Sequence, residues 1–93
     1  MSISVLEKVS KELNIDKEKL MIEGIRTYLE KEIRLSIEDI DSIKERYNVK
    51  NRDELERKIK EKKIPEHAAW EDLIQWENID NSISRLNSLL KSL

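Results

Sequence analysis

His67, the single histidine, is followed at i+4 by Glu71, so a helix through this stretch places both on one face with Glu66 and Asp72 beside them. One imidazole and a few carboxylates could approach a divalent cation, but zinc sites are built from more histidines or thiolates than this chain owns. Cysteine is absent, which removes thiolate metal sites, disulfides and cysteine nucleophiles together. Adjacent carboxylates such as Glu38 and Asp39 have the makings of an acid/base pair. In a chain that is 41% charged, however, they read as a solvated face. A single glycine leaves no glycine-rich phosphate loop. The residues therefore point to no catalytic group, no metal and no cofactor, and the chain is expected not to be an enzyme.

Binding chemistry is better represented. Residues 44–63 carry nine basic and five acidic side chains, whereas 1–43 carry seven and ten and 64–93 carry two and five. Within that basic stretch Lys50, Arg52, Arg57, Lys58, Lys60, Lys62 and Lys63 are candidates for phosphate contacts. Only Tyr47 is near enough to stack on a base, and i,i+4 pairs such as Glu54–Lys58 and Glu56–Lys60 offer the competing reading of a solvated helix. Trp70 and Trp76 stand close together further along, and tryptophan is enriched at the centres of protein interfaces.

The elements that position these groups are helical. One glycine and one proline in 93 residues argue against an all-β or loop-rich fold, because tight turns and hairpins use both. Isoleucine and leucine recur instead at steps of three and four. A first helix is expected over residues 4–13, with Val5, Leu6, Val9 and Leu13 on one face, closed by Asn14-Ile15-Asp16. Asp16 caps a second helix over 17–47, whose stripe runs through Ile22, Ile25, Leu29, Ile33, Ser36, Ile40, Ile43 and Tyr47. Thirty-one helical residues span about 46 Å, while a compact chain of this length has a radius of gyration of about 12 Å. The helix must protrude, break near Ser36, or lie against another copy. Asn51 with Asp53 and Glu54 predicts a capped third helix over 52–62 that offers Leu55 and Ile59 to a core. Pro65 opens a last helix over 67–90.

Two helices carry more apolar faces than one fold needs. On the last, Ala69, Trp70, Leu73 and Ile74 form one arc, while Trp76, Ile79, Ile83, Leu86, Leu90 and Leu93 form another with the alternating step of a coiled-coil seam. Trp70, Ile74, Trp76, Ile79, Ile83, Leu86 and Leu90 are accordingly expected to bind a partner. On the second helix Leu20, Met21, Gly24, Tyr28 and Leu35 make a face apart from the main stripe. Gly24, inside a helix at a cost of about 1 kcal/mol relative to alanine, suggests close approach of another helix. Leu20, Gly24, Ile25, Tyr28 and Leu29 are the expected dimerisation residues. The fold class is thus all-α, four helices around one long central helix, in an intertwined or side-by-side homodimer. Its parts are a dimerising helix-turn-long helix (1–47), a basic short helix (48–64) and a C-terminal partner or coiled-coil helix (65–93).

The stretch VLEKVSKELNIDKEKLMIEGIRTYLEKEI, residues 5–33, resembles the two helices of ribbon-helix-helix proteins, a family that includes many antitoxins. The matching positions are Leu6, Val9 and Leu13, then Asn14-Ile15-Asp16, then Leu20, Ile22, Gly24, Ile25, Tyr28 and Leu29. The resemblance implies dimerisation through these helices. The family's DNA-reading strand has only Met1-Ser2-Ile3-Ser4 to occupy here, without a lysine or arginine. Residues 48–93, with IPEHAAWEDLIQWENI, are similar to the C-terminal portions of small archaeal antitoxin-like proteins of unassigned function, and abundant Lys, Glu and Ile without Cys would suit a protein from a hot environment.

The expected function is a non-catalytic interaction module, antitoxin-like. It would dock its last helix, bordered by Glu71, Asp72, Glu77 and Asp80, into a basic groove of one partner protein and possess a second copy of itself as the other partner. Two alternatives belong to other classes: a nucleic-acid-binding dimer that uses 44–63, and a self-assembling structural protein joined through Leu86 and Leu90. No apolar run reaches membrane-spanning length and no secretory leader is visible, so a cytoplasmic location is expected.

Overall fold

Three residues outside the helices adopt a left-handed backbone, and they decide where the helices stop. Asn14, Asn48 and Lys62 have φ of 54°, 54° and 58°. At each the chain closes in the same way. The N–H of Asn14 donates to Lys11 O and that of Ile15 to Ser10 O; Asn48 and Val49 donate to Glu45 O and Lys44 O; Lys62 and Lys63 donate to Ile59 O and Lys58 O. These are Schellman closures, usually made with glycine, here made with two asparagines and a lysine. That is how a chain with one glycine punctuates three helices.

The computed structural model describes residues 3–93. They form α1 (Ile3–Leu13), α2 (Lys17–Tyr47), α3 (Arg52–Lys60) and α4 (Glu66–Lys91), with no strand among them. The all-α, four-helix reading holds. Asp16 caps α2 by accepting from Lys19 N at 3.2 Å. Asn51 caps α3 by accepting from Glu54 N at 2.8 Å, while the Glu54 carboxylate accepts from Lys50 N at 3.0 Å. The reciprocal pair is a capping box displaced by one residue, since Glu54 satisfies the N–H before the cap. α3 ends at Lys60, two residues earlier than periodicity suggested, because the turn at Lys62 needs the carbonyls of Lys58 and Ile59. No helix of the described residues is long and apolar enough to cross a membrane.

α2 does not break at Ser36. Left-handed backbone and proline are absent from its whole span. The helix therefore protrudes, and the described chain measures 61 × 20 × 18 Å with a radius of gyration of 19.4 Å, against about 12 Å for a compact chain of this length.

Burial is concentrated at one end of that length. Ile40 and Ile43 of α2, Val49 of the turn, Leu55 and Ile59 of α3, and Ala69, Leu73 and Trp76 of α4 form one buried cluster. Tyr47, Ile64, Trp70, Ile79 and Ile83 pack around it. α3 has only nine residues and could not persist alone in water; Leu55 and Ile59, 0% and 2% exposed, hold it in place. α4 runs antiparallel to α2, since Asp72 meets Arg46 while Ile83 shares a notch with Ile37. α1 folds back on the first half of α2, tied by a Lys17–Glu7 ion pair of 3.2 Å.

Truncating Leu55 to alanine is expected to cost about 2–5 kcal/mol. Lys62→Gly is expected to add about 0.5–1 kcal/mol by relieving a side chain at positive φ. Urea denaturation of both variants beside the parent checks the pair, and a destabilised Lys62→Gly would show that the lysine side chain matters more than its backbone.

Candidate interaction surface

Three surfaces were expected, and α4 is the first. Trp76 is 3% exposed and belongs to the core with Ala69 and Leu73. It is not an accessible anchor, and the docking role expected of it is corrected on that ground: α2 and α3 already cover its face, and the Lys44 ammonium lies 6.0 Å from its ring centroid. Trp70, Ile79 and Ile83 are partly buried against the same core. Leu86 and Leu90 are half-buried further along, and Ile74 is exposed, as are Leu89 and Leu93. The two arcs of α4 thus merge into one core-facing stripe over its first half.

The acidic border of α4 is engaged within the chain. Asp72 Oδ2 accepts from Arg46 Nη1 at 2.7 Å and from the Tyr47 hydroxyl. Arg52 pairs with Asp80 at 3.2 Å and reaches Glu77 at 4.0 Å. Burial pushes the Asp72 carboxyl up, yet the hydrogen bonds from Tyr47 and Arg46 outweigh it and hold the group below the usual carboxylate range. Burial and the hydrogen bond to Asp72 push the Tyr47 phenol up. This three-residue contact fastens the end of α2 to the start of α4.

The basic segment is similarly committed. Lys58 Nζ donates to Tyr47 O at 3.0 Å and to Asn48 O at 3.1 Å, placing a cation on the negative end of the α2 dipole. Lys60 pairs with Glu56 and Lys63 with Glu61. With Arg52 already on α4, the exposed Lys50, Arg57 and Lys62 remain from the seven candidate phosphate contacts. His67 meets Glu71 at 3.4 Å, and no third potential metal ligand joins them among the described residues. A shallow notch of about 370 Å³ between α2, α4 and the α2–α3 turn has Ile40, Trp76 and Ile83 in its lining, with Lys44 and Arg52 at its edges.

The first half of α2 is different. Of the expected dimerisation residues, Leu29 is 7% exposed, so it serves the chain's own packing and is corrected to a core position. Leu20 is half-buried. Gly24, Ile25 and Tyr28 are exposed, and nothing within 4 Å would meet a Cβ at Gly24. No close approach within this chain explains the glycine. Met21, Ile25, Tyr28 and Leu35, exposed by 43–56%, follow one another along one face, and Lys31 Nζ stands 5.3 Å from the Tyr28 ring centroid. Val5 and Leu13 of α1, and Ile22 and Ile37 of α2, are also 41–59% exposed. Met21 and Leu35 were visible as an apolar face but not as site residues; the spacing of Met21, Ile25, Tyr28, Glu32 and Leu35 by steps of four and three was the signal that could have found them. The Asp72 contact had no such signal, because its partners lie twenty-five and twenty-six residues away.

The chain belongs to the Uncharacterized protein MJ0235 family, whose model matches residues 1–93. It is similar to the uncharacterized protein MJ0235 of Methanocaldococcus jannaschii, at 30% identity over 76 residues, which is 82% of this chain and 93% of the relative. No solved structure matches. Of the ribbon-helix-helix pattern, Ile3 and Ser4 are helical, and Met1 and Ser2 lie outside the described residues. α2 continues past Ile33, where the resembling stretch ends.

The Asp72 contact gives a pH prediction. Because the folded carboxyl titrates below its unfolded value, its stabilisation is complete above the ordinary carboxylate range and lost as pH falls through it. Between about pH 5 and 3 the parent should lose stability more steeply than Asp72→Asn. At neutral pH that variant should be less stable by about 1–2 kcal/mol. Parallel slopes in pH-dependent thermal melts would mean that Asp72 carries no such linkage.

Proposed function

We propose that this member of the family is a non-catalytic helical interaction module that binds protein through the first half of α2. One observation carries the reading. Among the described residues before Ile40 only Leu29 is buried, while eight large apolar side chains of α1 and α2 stand 41–59% exposed. Scattered exposed hydrophobics are ordinary, but a helical arm with almost no interior of its own has little to hold it except what it binds. In favour of α2 over α4, Trp76 is buried and Asp72, Glu77 and Asp80 are paired with arginines within the chain. Against the nucleic-acid alternative, Lys58 and Arg52 bridge separate elements of the fold, and Lys60 and Lys63 each have a carboxylate beside them.

An antitoxin is one form such a module takes. In that form the bound protein would be silenced by being covered, through helix-in-groove docking. The core at the other end of α2 would serve as the rigid mount from which the arm projects.

Tagged protein recovered from its native cells should carry a stoichiometric protein, either another chain or untagged copies of itself. Ile25→Asp and Tyr28→Asp should lose it, whereas Ile74→Asp on α4 should keep it. Retention by the two α2 variants with loss from the α4 variant would return the site to the last helix. Comparing the captured protein's activity before and after release tests the antitoxin form.

A further inference from the structure

We infer that the exposed face of α2 is covered by the same face of a second copy, running antiparallel with its two-fold axis at Tyr28. This deepens the reading above and rests on it, because it names the occupant of that site.

Three observations converge. The first is pattern. Met21, Ile25, Tyr28, Glu32 and Leu35 step by four, three, four and three, and the four apolar members are all exposed, so neither α1 nor α4 lies on this side of α2. A two-heptad seam of that rhythm is what a facing helix of like periodicity fits. The second is symmetry. Met21 and Leu35 lie equally far along the chain on either side of Tyr28, and so do Lys17 and Asp39. An axis at Tyr28 sets Met21 against Leu35 at both ends of the seam and leaves the two Tyr28 rings beside each other. Gly24 falls beside this seam with open space around it, level with Glu32 of the other copy.

The third is charge. The seam begins at Lys17, at the positive end of the α2 dipole, and ends at Glu38 and Asp39. Antiparallel copies bring Lys17 of one toward Glu38 and Asp39 of the other, twice. Parallel copies would set Lys17 against Lys17 and Asp39 against Asp39. Lys17 also pairs with Glu7 of its own chain, and with both partners about half-exposed it stays accessible. Four helices would then meet around the seam, two from each copy, and the two buried cores would lie at opposite ends of the assembly.

The chain has no cysteine, so crosslinking reads the arrangement cleanly. Sedimentation equilibrium of the full chain at tens of micromolar should give twice 11.1 kDa. Tyr28→Glu, on a surface position, should keep the helical circular dichroism and weaken association on the order of a hundredfold. Mixing Met21→Cys with Leu35→Cys under oxidation should give mainly the mixed disulfide, whereas Tyr28→Cys should crosslink to itself. Asp39→Lys should weaken the dimer, and adding Lys17→Glu should restore it. Efficient homodimeric crosslinks of Met21→Cys would overturn the antiparallel register. A parent that stays at 11.1 kDa up to millimolar concentration would overturn the second copy as occupant. If that monomer still captured a different protein, lost on Tyr28→Glu, the interaction-module reading would survive; loss of neither association would sink both.

Discussion

α2 is too long for the chain to enclose, and nearly everything else follows from that mismatch. Thirty-one residues of uninterrupted helix give a strut of about 46 Å, while the two helices that follow it can build an interior around only one end. The buried cluster gathers Ile40, Ile43, Leu55, Ile59, Ala69, Leu73 and Trp76 there. At the other end α1 covers part of the helix, and Leu29 is what the chain manages to bury. A core forms where three helices and a turn converge; two helices alone shield only one line of contact.

The end of α2 has to be fixed for this arrangement to be definite, and several weak interactions are concentrated there. Asn48 accepts the left-handed conformation, the Lys58 ammonium sits on the last carbonyls, and Arg46 and Tyr47 both grip Asp72. An exposed ion pair on its own contributes little. Asp72, with its side chain 17% exposed and two donors on one oxygen, is better placed than most. Several charges that look on paper like a nucleic-acid patch or an acidic docking face are thereby engaged in contacts between helices. The large exposed apolar side chains lie elsewhere, mostly on the first half of α2.

Much of the fold was legible in the residues. Caps at Asp16 and Asn51, the stop at Asn14-Ile15-Asp16 and the three-four stripe through α2 all act within a few residues of one another, and the helices begin where those signals put them. The stop at Lys62 was harder to see, because a lysine gives no hint that it will take positive φ. Leu55 and Ile59 read correctly as the buried pair of α3, since a nine-residue helix with two large apolar side chains has nothing else to bury. The site was less legible. Trp76 and Leu29 belonged to stripes that looked free and proved covered, whereas Met21 and Leu35 belonged to a face that looked secondary and proved open.

The sequence by itself determined the helical class and most of the helix ends, because caps, propensity and periodicity are local and need no partner; that α2 runs unbroken through Ser36 was decided by the structure. Only the tertiary structure decided which apolar stripes the chain covers for itself and which it leaves exposed. A helix's pattern says that a face wants burial but not which body will cover it. That depends on where α3 and α4 fold back along α2, and so on contacts such as Arg46 and Tyr47 with Asp72, whose partners are far apart in the chain and meet only when it is folded.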